Sequence, residues 1–235
     1  MKELQEKLDL LLTKYSVPVR ATILDRETAK IDGIETPLLP HRAKRSNVEL
    51  RKLVQGGTLE DVSVMRTGVV ASKSEDLFVL LARELDLAAF VLGKKILTVT
   101  AVKSGPALNV LAGAEDGILC TLELSVVLPA GSAEKAKHEI ISRRGVACDV
   151  AVDAQLMQDS VYLFGKEEKK FTDVDYELYG LTPDDVAVVR SAFEAAKTGD
   201  AAERIHASAR AVRLAEAAKL SLTTGERQAL TDETA

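Results

Sequence analysis

Ile118-Leu-Cys-Thr-Leu-Glu-Leu-Ser-Val-Val-Leu128 alternates with a period of two. One set holds Ile118, Cys120, Leu122, Leu124 and Val126; the other holds Leu119, Thr121, Glu123, Ser125 and Val127. Successive side chains of a strand point to opposite sides, so this stretch is a strand with one buried and one mixed face. The pattern continues on either side, in Ile96–Val102, Ala107–Ala112, His138–Ser142, Val146–Val152 and Ser160–Phe164. In Val146–Val152, Asp149 and Asp153 fall opposite Val146, Cys148 and Val150. Ser104-Gly-Pro106, Glu115-Asp-Gly117, Pro129-Ala-Gly131 and Lys166-Glu-Glu-Lys169 separate the strands. Links this short predict antiparallel neighbours.

Around this strand region the period is helical. Leu4, Leu8, Leu11 and Leu12 predict a first helix through Tyr15, followed by a strand at Val17–Leu24. Residues 25–46, with Gly33, Pro37 and Pro40, read as a long loop. Asn47 is the expected N-cap of a helix that runs through Gln55 and stops at Gly56-Gly57. A strand over Val62–Val70 follows. Ser74 with Glu75 and Asp76 then starts a long helix whose buried stripe is Leu77, Leu81, Leu85, Ala88 and Leu92, closing at Gly93. Thr182-Pro-Asp-Asp185 opens another helix, burying Val186, Val189 and Phe193 and ending at Thr198-Gly199. The last helix spans 202–220, with Ile205, Ala209, Val212 and Ala215 inward, before a frayed polar tail at 223–235. The fold class is therefore α+β, an open, mainly antiparallel sheet with helices on one face.

Composition narrows the function. The 235 residues carry a net charge of −5 with acids and bases interspersed, so no basic face for nucleic acid is expected. The longest basic run, His41-Arg-Ala-Lys-Arg45, reads as a solvated loop. Aromatics make up 4% and Trp is absent, which leaves few platforms for stacking bases or sugars. No apolar stretch reaches membrane-spanning length, and Met1-Lys-Glu-Leu-Gln-Glu6 is not a signal peptide. Cys120 and Cys148 lie in apolar alternation and read as buried free thiols, which suits the cytoplasm.

Several segments, in collinear order, resemble the Gfo/Idh/MocA family of nicotinamide-dependent oxidoreductases. Leu53-Val-Gln-Gly-Gly-Thr-Leu-Glu-Asp-Val62 is similar to the entry into that family's second domain. Glu84-Leu-Asp86, then Phe90-Val-Leu-Gly93, resembles its signature of an acid, an apolar residue and Asp before an apolar run ending in Gly. Ala192–Gly199 and Ala211–Ser221 resemble its terminal helix pair, and Leu4–Leu24 the closing helix and strand of its nucleotide-binding domain. The resemblance implies a helix–strand remnant of a Rossmann-type domain at 1–24, a loop at 25–46, a C-terminal α+β domain at 47–222 and a tail at 223–235. Family members bind NAD or NADP through a Gly-rich turn. No G-x-G occurs in this chain, so no cofactor is expected on this chain alone.

The departures fall on the family's chemistry. The chain starts at Met1, about where a catalytic Lys-Pro dipeptide ends, and Lys2 reads as a surface residue. The family's long helix carries an Asp and, one turn on, a His that handle the proton of the reacting hydroxyl. Counting back from Asp86, those positions are Val79 and Arg83. Arginine holds its proton and valine has none to give. No catalytic residue is expected, nor a metal site.

Arg83 and Asp86 remain as ligand-binding candidates. Arg83 could clamp a carboxylate or phosphate, although a salt-bridged helix residue is the plainer reading. Asp86 reads equally as a structural partner. His41, His138 and His206 lack neighbours at metal spacing. Glu123, Asp149 and Asp153 read as acids on a sheet face, and Arg143-Arg144 as a solvated turn. The expected role is a non-catalytic binding or oligomerisation subunit of an oxidoreductase-type system. It would pair as a homodimer or higher oligomer through the open sheet face, with a separate nucleotide-binding subunit as a further partner. The alternatives are a sugar or polyol oxidoreductase completed from outside this chain, and a small-molecule sensor.

Overall fold

The computed structural model describes residues 1–150, 160–165, 169–172, 177–178 and 180–230. Asp153, the expected strand residues 151–152, the link at 166–168 and the end of the tail at 231–235 lie outside them. The chain divides into two compact units: residues 1–48 with 173–209, and residues 49–172 with 210–235. The boundaries differ from the 1–24, 25–46 and 47–222 division because the helix opened by Thr182 packs with the N-terminal residues.

In the first unit, α1 (Lys2–Lys14) buries Leu4, Leu8, Leu11 and Leu12, as its spacing requires. Strands β1 (Ala21–Ile23), β2 (Thr28–Ile31) and β3 (Ile34–Pro37) form an antiparallel sheet, and α2 spans Pro40–Ala43. Two strands and a helix thus occupy the stretch expected to be a loop. The missed signal is Asp32-Gly33, at φ 46° and 88°, joining Ile31 to its cross-strand partner Ile34. Asp-Gly between apolar residues is a two-residue hairpin turn. Ala21–Ile23 pairs antiparallel with β2 instead of extending a parallel sheet.

Helix α5 (Pro183–Thr198) is capped as read: Thr182 Oγ1 accepts from Asp185 N at 3.3 Å, and Gly199 closes it in the left-handed region. Val189 and Phe193 pack against the leucines of α1. Helix α3 (Arg45–Gln55) starts two residues before the expected cap. Asn47 is buried in its first turn and donates from Nδ2 to His41 O at 2.7 Å.

The second unit is a nine-stranded sheet with helices on one face. Its strands are β4 (Val62–Ser72), β5 (Ile96–Ser104), β6 (Ala107–Ala114), β7 (Leu119–Leu128), β8 (Lys135–Ser142), β9 (Gly145–Cys148), β10 (Ser160–Gly165), β11 (Lys169–Thr172) and β12 (Gln228–Ala229). They lie in the order β11-β10-β9-β8-β4-β7-β6-β5-β12, antiparallel except for β4 with β7. The link at 129–134 was expected to make β7 and β8 neighbours, but β4 lies between them. A strand flanked on both sides buries both of its edges, and β4 is apolar enough for that place. β12 pairs with β5 where a frayed tail was expected.

Helix α4 (Leu77–Leu92) covers the inner face with all five expected stripe residues buried. Its cap is Asp76, whose Oδ1 accepts from Phe78 N at 2.7 Å and Val79 N at 3.1 Å. The expected starter, Ser74, is instead bonded to Ser72 Oγ at 2.8 Å within the turn. The inner face of the sheet supplies Met65, Val69, Leu108, Val110, Leu122, Leu124 and Ile140 to the same core.

Helix α6 (Ala201–Thr224) turns a different face inward from the one its large apolar residues suggested. Ile205, Ala209 and Val212 are exposed, and Ala215 is buried with Ala211, Leu214, Ala218 and Ser221. Small side chains let the helix come close to β5, where Ser221 Oγ accepts from Ala101 N at 3.0 Å and Arg210 Nη2 donates to Ile96 O at 2.8 Å. In the first unit the buried Arg204 donates to Leu38 O at 2.6 Å and Ser191 Oγ at 2.9 Å. Polar groups with fixed backbone partners thus took positions that hydrophobicity alone assigned elsewhere.

Candidate functional site

Strand β8 alternates, so Ala136, His138 and Ile140 face the helices while Lys137 and Glu139 face away. This puts His138 beneath α4, whose Glu84 lies among the buried stripe residues. Its Nε2 is 2.9 Å from Glu84 Oε2 and its Nδ1 is 2.6 Å from Asp149 Oδ2. The backbone joins in: His138 N donates to Asp149 Oδ1 at 2.7 Å, and Asp149 N donates to His138 O at 3.1 Å. The side chains of His138 and Glu84 are 6% and 2% exposed.

With a carboxylate at each ring nitrogen, only the doubly protonated imidazole satisfies both contacts by donating twice. Burial pulls the His138 pKa down, but Asp149 and Glu84 outweigh it and raise it to about 10. Burial pushes Glu84 up, and the His138 hydrogen bond and charge, with Arg83, overcome this and hold it at about 2. The result is a buried ion pair with a locked proton.

Arg83 extends the cluster towards solvent. It donates from Nε to Glu84 Oε1 at 2.8 Å and from Nη2 to Glu134 Oε1 at 2.8 Å, and Nη2 also lies 2.7 Å from Glu84 Oε1. Burial works against its charge, but Glu84 and Glu134 more than compensate, raising its pKa above the ordinary value. Asp86, the other expected ligand residue, is buried in α4 and makes interactions of its own. Val79, one turn before Arg83, is 67% exposed.

The remaining expected residues do not converge. Glu123 is exposed on the opposite sheet face, His206 is exposed on α6, and Arg143 and Arg144 pair with Glu60 and Asp61 at the surface. Cys120 and Cys148 are free and buried, and burial raises the Cys120 thiol to about 12. Asp149 was read as a sheet-face acid and His138 as a lone histidine, so the cluster went unseen. The available signal was phase: His138 keeps step with Ile140, and Glu84 with Leu81 and Leu85, and a charge on an apolar face needs a partner. Among the described residues no group of three or more His, Cys, Asp or Glu is placed to hold a metal, and no helix is long and apolar enough to cross a membrane.

The architecture of the chain is shared with solved structures of oxidoreductases, and the likeness is one of fold. A putative oxidoreductase from Thermotoga maritima is 16% identical with a TM-score of 0.62, over 83% of this chain and 63% of its own. An inositol dehydrogenase homolog from Azotobacter vinelandii, complexed with NADH and myo-inositol, is 13% identical with a TM-score of 0.61, over 82% of this chain and 63% of its own. Levoglucosan dehydrogenase, in complex with NADH and levoglucosan, is 11% identical with a TM-score of 0.65, over 82% and 65%. The chain therefore spans just under two thirds of the length of these relatives. No protein-family model matches it, and no curated protein matches it.

Proposed function

We propose that the chain is a non-catalytic binding or assembly subunit of an oxidoreductase-type system, built on a Gfo/Idh/MocA-like C-terminal α+β domain. The observation that carries this is the state of α4. At the positions where the resemblance puts proton-handling Asp and His stand an exposed Val79 and an Arg83 tied to Glu84 and Glu134. The buried histidine, His138, has both nitrogens engaged by carboxylates and no free lone pair to act as a base.

The chain's own residues also do not fit a dinucleotide. Its pyrophosphate needs a Gly-rich turn between a parallel strand and a helix. The sequence has no G-x-G, and β1–β3 are all antiparallel. In this reading NAD or NADP belongs to a separate nucleotide-binding subunit. Calorimetric titration with NAD(H) and NADP(H) tests it: no binding at micromolar concentration is expected, and micromolar binding by the chain alone overturns it. The coverage of just under two thirds favours a second reading, an oxidoreductase whose site is completed from outside these residues.

The open sheet face supports homo-oligomerisation. Across it run the rows Thr100, Leu111, Thr121, Arg66, Glu139 and Val102, Asn109, Glu123, Gly68, Lys137. Exposed Val102, Leu111, Leu119 and Val127 supply apolar area, and Arg66 and Lys137 lie beside Glu123 and Glu139. A two-fold axis can set such a face against itself with opposite charges meeting. Sedimentation at micromolar concentration is expected to show a dimer or larger; a 25.3 kDa monomer alone overturns this part. In this reading the protein works in the reducing cytoplasm, a setting that buried free thiols suit.

A further inference from the structure

We propose that Arg83 is an exchangeable carboxylate-binding site in which Glu134 stands in for a small organic carboxylate. The inference rests on the reading of the chain as a non-catalytic binding subunit, and it names the ligand class that Arg83 takes.

The argument starts from the difference between the two carboxylates on Arg83. Glu84 is 2% exposed, and its second oxygen, Oε2, is held by His138. It is a fixed part of the interior. Glu134 has a 27% exposed side chain and lies in the link between β7 and β8, one residue before β8 begins. Nothing but Arg83 is bonded to its carboxylate among the described residues. One partner is built in and the other can leave.

The guanidinium is suited to such an exchange. Nε donates to Glu84 Oε1 and Nη2 lies 2.7 Å from the same oxygen, which sets the plane of the group. Nη1 has no protein partner among the described residues, and it is not sealed from solvent. The outer edge, Nη1 with the second proton of Nη2, thus offers two roughly parallel donors, of which Glu134 uses one. A carboxylate from solution can take both, the bidentate arrangement that arginine makes best. Losing Glu134 costs little, because a partly exposed ion pair contributes little net stability. Val79, one turn earlier on α4 and largely exposed, leaves apolar area on the same side of the helix.

The arrangement is therefore self-occupied: Glu134 competes with ligand, and its removal opens the site. Malonate is the probe, followed by isothermal titration calorimetry at constant ionic strength on the wild type and on Glu134→Gln, Arg83→Lys and Arg83→Gln. The expected order is Glu134→Gln tightest, about fivefold tighter than wild type, then wild type, then Arg83→Lys, with no binding by Arg83→Gln. Glu134→Gln sits on an exposed link and keeps the fold, so the test survives if the Arg83 variants fail to fold. The proposal is overturned if Glu134→Gln binds malonate no better than wild type, if Arg83→Gln binds as well as wild type, or if neither wild type nor Glu134→Gln binds at millimolar malonate. Inorganic phosphate binding as tightly as malonate would also overturn the carboxylate assignment. Because malonate reports on Arg83 and the nicotinamide titration on a dinucleotide seat, the two readings fail separately.

Discussion

Replacing His138 by alanine is expected to lower the unfolding free energy by about 3–5 kcal/mol, because it removes the buried cation that Glu84 and Asp149 share. Glu84 Oε2 is left without a partner or solvent and Asp149 Oδ2 loses its ring contact, while the backbone bonds between residues 138 and 149 remain. Urea unfolding followed by circular dichroism reads the loss directly. A change within about 0.5 kcal/mol, the range of an ordinary surface substitution, would show that the cluster is not an ion pair of the interior.

The same cluster gives stability a pH dependence with a definite sign. His138 has a pKa near 10 in the folded chain against an ordinary 6.5. A group raised on folding stabilises fully below its unfolded pKa, and that contribution is lost as pH rises from 6.5 through about 10. Glu84 lies at about 2 against an ordinary 4.5, so its contribution is present above 4.5 and is lost as pH falls towards 2. Both describe one ion pair and are not added together. Its stabilising effect is greatest between 4.5 and 6.5. In wild type the urea midpoint should fall on the alkaline side of that window, and His138→Ala should flatten the fall. An equal alkaline slope in the variant would assign the effect to other groups.

The second large effect is expected at Leu85. It is wholly buried at the centre of the α4 stripe, against the inner face of the sheet. Leu85→Ala removes apolar area and leaves a cavity that the surrounding strands close only in part, at a cost of about 2–5 kcal/mol. Val79→Ala on the same helix is the matched control. It removes a side chain already in water and should change stability by no more than about 0.5 kcal/mol. Similar losses at the two positions would mean that α4 does not present the face described.

These two residues also mark how far the sequence could be read. The α4 stripe, the Thr182 cap, the Gly93 and Gly199 closures and the alternation of β7 are local signals, and the structure reproduces them. The β2–β3 hairpin was just as local, in Asp32-Gly33, and was passed over because the prolines around it suggested a loop. The inward face of α6 was not legible by hydrophobicity, since Arg204, Arg210 and Ser221 go inside to meet backbone groups. At Arg83 the sequence showed an arginine where the resemblance implies a proton carrier. It did not show which carboxylates would hold that arginine.

By itself, then, the sequence determined the helices α1, α4 and α5 with their buried faces, the alternation of β7, and that positions 79 and 83 hold valine and arginine. Those properties depend on neighbours within a turn or two of chain. The tertiary structure alone decided that β4 enters between β7 and β8, and that Glu84 meets a histidine 54 residues away. Such contacts depend on the order of strands in the sheet, because a buried charge must meet its partner wherever the fold brings one.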